Sequence, residues 1–154
     1  MFENIRKYGL IYLIFSLLSF NIWIFYYDFK ISHKKLIFTI FDVGQGDALF
    51  VESPTGVQIL VDSGSSKNIL NHLMRSMSPL DKSIDAIIIT NPDADHMGGF
   101  VNVLENYKVD YVLEPGTYND SKIYKKLQDE IKIKNITKIL ARRGMDLDLG
   151  GGVN

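Results

Sequence analysis

The chain reads as a layered α/β domain, and three features of its 154 residues predict it. Strand-like apolar runs joined by glycine turns come first, and helical and strand patterns alternate after them. A run of β-branched residues, Ile87-Ile88-Ile89-Thr90, lacks the alternation of a half-exposed strand and reads as a buried central one. That run opens directly into a polar loop, Asn91-Pro92-Asp93-Ala94-Asp95-His96, closed by Gly98 and Gly99.

The elements follow from period and punctuation. Residues 36–41 and 48–52 read as strands joined by the Gly44-Gln45-Gly46-Asp47 turn, and Ser53-Pro54-Thr55-Gly56 turns into a third strand at 57–61. Residues 66–77 place Ile69, Leu73 and Met77 on one helical face, and Pro79 bars continuation. The central strand spans 84–90; Pro92 ends its ladder, and a helix begins near Gly98. Residues 109–114 form a strand ended by Pro115-Gly116. Residues 120–131 repeat Ile123, Leu127 and Ile131 at helical spacing, with Asp120 or Ser121 as cap. Strands at 136–141 and 145–149 complete the reading, separated by Arg142-Arg143-Gly144.

The first thirty residues differ in kind. No charge occurs between Tyr8 and Tyr27, and twenty residues of helix span about 30 Å, the hydrocarbon thickness of a bilayer. Trp23, Tyr26 and Tyr27 suit an interfacial belt, and no small-x-small cleavage site follows. Residues 1–30 are therefore read as an uncleaved, single-pass membrane anchor, against a cleaved signal or a soluble core helix. Arg6 and Lys7 before the span and Lys30, Lys34 and Lys35 after it do not fix its orientation.

With the anchor set aside, 36–154 suffices for one domain with a core. The net charge of −1 gives no global field for nucleic acid, and the absence of cysteine permits any compartment. Lysines at 122–126 and 132–138, with Arg142 and Arg143, read as solvated helix faces, with a phosphate-backbone groove as the alternative. His33 and His72 stand outside any motif and read as surface or structural residues.

The polar loop carries the chemistry. Asn91, Asp93, Asp95 and His96 offer oxygen and nitrogen ligands in a short stretch at a strand end, as a divalent cation requires. The plainer alternative is that they cap the following helix, although a cap needs only one side chain. Asp42 and Asp62 each follow an apolar strand and precede a glycine turn. Each would accept turn N–H groups or orient the metal loop.

This loop resembles the metal-binding segment of the metallo-β-lactamase fold, His-x-His-x-Asp-His-x-Gly, with Asp95, His96 and Gly98 matching and Asn91 and Asp93 in the places of two histidines. Ile40-Phe-Asp-Val-Gly-Gln-Gly-Asp-Ala-Leu-Phe50 is similar to the opening strand and turn of the extracytoplasmic domain of ComEC-type DNA-uptake proteins, and Val61-Asp-Ser-Gly64 to their third-strand motif. The resemblance implies an αββα layered fold over 36–154, of which this sequence would hold the N-terminal half, and a domain outside the cytoplasmic membrane.

It further implies a metal-dependent hydrolase acting on phosphodiesters of DNA. Asp93 and Asp95 would be catalytic, and Asn91, Asp93, Asp95 and His96 would hold metal. Asp42, Gly44, Gly46, Asp62, Gly64 and Gly98 would support the loop. With two histidine places lost, the oxygen-rich set would take one ion, manganese, zinc or magnesium. The family's later ligands find no match here, so the alternative is a binding or structural protein without turnover. A half-built sheet would then seek a complementing second half or a second copy.

Overall fold

The computed structural model describes residues 2–32 and 35–153, and within its first helix the side chains of Tyr8 and residues 11–27. It divides into two units, 1–34 and 35–154. The first unit is one helix, α1 (Phe2–Ser32), whose described apolar side chains are exposed, Tyr12, Phe15 and Phe25 among them. Among the described residues no helix is long and apolar enough to cross a membrane. His33 and Lys34 lie outside the described residues.

The second unit is a six-stranded mixed sheet in chain order: β1 (Ile37–Ile40), β2 (Leu49–Glu52), β3 (Gln58–Val61), β4 (Ser83–Ile88), β5 (Lys108–Glu114) and β6 (Thr137–Leu140). β1, β2 and β3 pair antiparallel through short turns, whereas β3 to β6 run parallel. Parallel neighbours need crossovers. These are α2 (Ile69–Ser76), the pair α3 (Ala94–Met97) and α4 (Phe100–Asn106), and α5 (Lys122–Ile133).

The helices share one face of the sheet. Ile69 and Leu73 of α2, Phe100 and Leu104 of α4 and Leu127 of α5 pack on Phe50, Leu60, Ile87 and Val112, each of these strand residues at most 2% exposed. Burial of each such side chain stabilises by about 1.5–3 kcal/mol. On the opposite face Val51, Ile59, Ala86 and Leu113 form a smaller cluster, against which Leu147 and Leu149 pack.

Three local expectations change. Residues 145–149 form no strand: the segment lies irregularly over the second face, where Leu149 O accepts the Thr55 hydroxyl at 2.6 Å, and turns back at Gly150–Gly152, all at positive φ. The helix expected from residue 66 starts at Ile69, because Ser66, Lys67 and Asn68 form a turn. The helix expected near Gly98 is α4 (Phe100–Asn106), but a separate short helix, α3, precedes it, so Asp95 and His96 lie on a helical turn and not in an open loop.

Candidate functional site

The parallel strands β3, β4 and β5 deliver their C-terminal ends to one edge of the sheet, where open α/β sheets bind ligands. Asp62 stands just past β3, 3% exposed, with a left-handed φ of 54°. Its backbone N–H still donates to Ile88 O at 2.9 Å, so the turn leaves the sheet only after Asp62 has been fixed.

The Asp62 carboxylate ties three segments together. Oδ1 accepts the Thr90 backbone N–H at 2.9 Å, and Oδ2 accepts the Thr90 hydroxyl and lies 2.9 Å from His96 Nδ1. Opposite a carboxylate, Nδ1 is the protonated nitrogen, which leaves Nε2 without a partner among the described residues. From the other side, His96 O accepts the Ser63 N–H at 2.7 Å and the Ser63 hydroxyl at 3.1 Å. The Asp62 hydrogen bond raises the His96 pKa above its usual 6.5; partial burial opposes this, and the charges of Asp62, Asp95 and Asp47 add to it.

The glycines of this region allow close approach. A Cβ on Gly46, at φ 97°, would lie 1.7 Å from Asp95 O, so the β1–β2 loop touches the α3 backbone where only glycine fits. Gly64 N donates to Asp47 O and Gly64 O accepts from Gly99 N, both at 2.9 Å. Any Cβ on Gly98 would meet Ser65 O at 2.8 Å. Gly44, by contrast, has open space around it and is a turn device at φ 84°. Exposed Asp42 accepts the Gly44 N–H at 3.3 Å, the turn role weighed for it.

Asn91 and Asp93 are placed differently. Asn91 Nδ2 donates to Asp93 Oδ2 at 2.9 Å, and Asn119 Nδ2, from the β5–α5 loop, donates to Asp93 Oδ1 at 3.2 Å. Asp93 occupies the N-cap position of α3, but its side chain makes no cap hydrogen bond. Among the described residues no three His, Cys, Asp or Glu side chains gather as a metal cage. Asn91 and Asp93 are hydrogen-bonded to each other, and Asp93 also to Asn119, an amide-and-carboxylate set where the resembled pattern has two imidazoles. Asp95 and a His96 oriented by a buried carboxylate fit one part of an ion site.

Thr90, Ser63, Asp47 and Asn119 joined the site without having been singled out in the sequence. Thr90 and Ser63 adjoin recognised motifs and were open to notice; Asn119 meets Asp93 across 26 residues, and no local pattern marks it. His72 is structural, its ring stacked on Phe41 at 5.1 Å. In the basic clusters, Lys126 pairs with Glu105 at 3.1 Å and Lys138 with buried Glu114 at 2.8 Å. A cleft of about 760 Å³ lies at the other end of the sheet, near Lys82, Lys108 and Lys134. It sits by the C-terminal ends of α4 and α5, whose dipoles disfavour anions, and Lys108 is already paired with Asp110.

The fold and the strand-end site define a class, a metallo-β-lactamase-like domain. The family model described as the metallo-beta-lactamase superfamily matches residues 41–152, and the chain belongs to that superfamily. No curated protein matches it. Superfamily members commonly bind divalent metals and have a hydrolase-like fold.

Proposed function

We propose that this domain is a ComEC-like hydrolase module that binds one divalent ion, manganese, zinc or magnesium, at Asp95 and His96 and acts on a phosphodiester such as DNA. The observation that carries the reading is the Asp62–His96 hydrogen bond. It holds the imidazole in one tautomer with Nε2 presented, as partners of metal-binding histidines do. When bound, such an ion supplies charge stabilisation at a phosphoryl oxygen and a water of lowered pKa. The residues themselves hold and orient: Asp62 fixes His96, Thr90 fixes Asp62, and the Gly46 turn keeps Asp95 in place.

The same reading makes α1 a membrane tether with the domain on its outer side. Support comes from the charge-free stretch 8–27 and from apolar side chains exposed on all sides, which water disfavours and lipid accepts.

Titration of the full chain in detergent with Mn²⁺ and Zn²⁺ tests the site, with binding of one ion expected and a loss of at least about tenfold in His96→Ala. Metal-stimulated cleavage of bis(p-nitrophenyl) phosphate, absent in His96→Ala, would follow. Ion binding without any turnover would favour a second reading, a binding module that has kept the fold. The Asn91–Asp93–Asn119 arrangement, hydrogen-bonded where two imidazoles were expected, supports that alternative.

A further inference from the structure

We propose that Asn119 is a positioning residue: together with Asn91 it grips the Asp93 carboxylate, so that Asp93 acts as a strut between the α3 loop and the β5–α5 loop and not as an ion ligand. The inference rests on the proposed site only in taking Asp95 and His96 as the ion-binding pair.

The direction of the Asn119 amide is set by its other end. Its Oδ1 accepts the Ser121 backbone N–H at 2.8 Å, which makes the opposite end the NH₂ donor. That donor meets Asp93 Oδ1 at 3.2 Å, while the Asn91 amide meets Oδ2 at 2.9 Å. Each carboxylate oxygen thus has its own amide. Asp93 is free for this because it serves α3 through its backbone, its carbonyl accepting from His96 N and Met97 N at 3.0 Å each. Asn119 in turn stands on a fixed base. Ser121 caps α5 by accepting from Tyr124 N, and Tyr124, Leu127 and Ile131 bury that helix against the sheet. The strut therefore transmits the position of a packed helix to the loop that carries Asp95 and His96.

Asn119→Asp separates the strut from the cap, because aspartate keeps the acceptor for Ser121 N–H but sets a like charge against Asp93. In the full chain, hydrogen exchange over residues 91–97 should rise roughly tenfold in Asn119→Asp, with exchange over 122–133 unchanged. Asp93→Asn should hold Mn²⁺ within about threefold of the parent, whereas His96→Ala loses it. Unchanged exchange at 91–97 in Asn119→Asp overturns the proposal, as does an Asp93→Asn loss equal to that of His96→Ala. Should the parent take up no ion at all, the hydrolase reading falls while the exchange measurement still decides the strut.

Discussion

Asp62 holds a conformation that only glycine, asparagine and aspartate adopt readily, and from it one carboxylate reaches both Thr90 and His96. Asp62→Asn keeps the backbone preference but removes the charge, so the His96 pKa should fall back toward 6.5, as read by an NMR titration of the imidazole. The sign of the linked stability follows. Because the folded pKa is raised, the contribution is fully present below 6.5 and is lost as pH rises through the folded value. Urea unfolding should thus separate parent and Asp62→Asn more widely at about pH 5 than at about pH 8. An equal gap at both would remove the ion pair from the account. Asp62→Ala should cost about 1–3 kcal/mol more broadly, since the Thr90 N–H then loses its acceptor.

Among the elements, the β1–β2 loop is where sequence and structure agree most closely, because glycine spacing is a local signal. Gly44 and Gly46 both sit at positive φ, yet only a Cβ on Gly46 meets a neighbour. Gly44→Ala should therefore cost only conformational strain, roughly 1 kcal/mol, and Gly46→Ala clearly more, with the α3 backbone displaced. Equal midpoints in urea for the two variants would show that the loop does not press on Asp95. The expected strand at 145–149 failed for the opposite reason. Alternating Leu147 and Leu149 fit a strand, but β6 takes no further partner there, and the pair serves the second sheet face from an irregular path. At α5 the sequence offers Asp120 or Ser121 as cap and the structure gives the role to Ser121, whose replacement by alanine should cost about 1 kcal/mol and lower the thermal midpoint.

Across the whole α/β unit, the two sheet faces differ in how they are covered. The helix side is closed, whereas on the other side Phe38 is 62% and Ile40 84% exposed. Their register partners Val51 and Leu49 place them beside the second apolar cluster. Leu147→Asp should weaken that cluster by about 1–3 kcal/mol. Ile40→Lys should change stability by no more than about 0.5 kcal/mol and reduce self-association in sedimentation, if this face seeks a second copy. Association unaffected by Ile40→Lys would place any contact elsewhere.

The order of the first six strands, the glycine turns, the core faces of α2 and α5 and the polar loop at a strand end were determined by local sequence. Periodicity and φ preference act over a few residues. What only the tertiary structure decided was partnership: that Asp62 orients His96 across 34 positions, and that Asn119 holds Asp93 across 26. Those meetings depend on which strands lie parallel and in which register, and hydrophobic burial of the whole sheet sets that arrangement. No residue's own neighbours in the chain encode it.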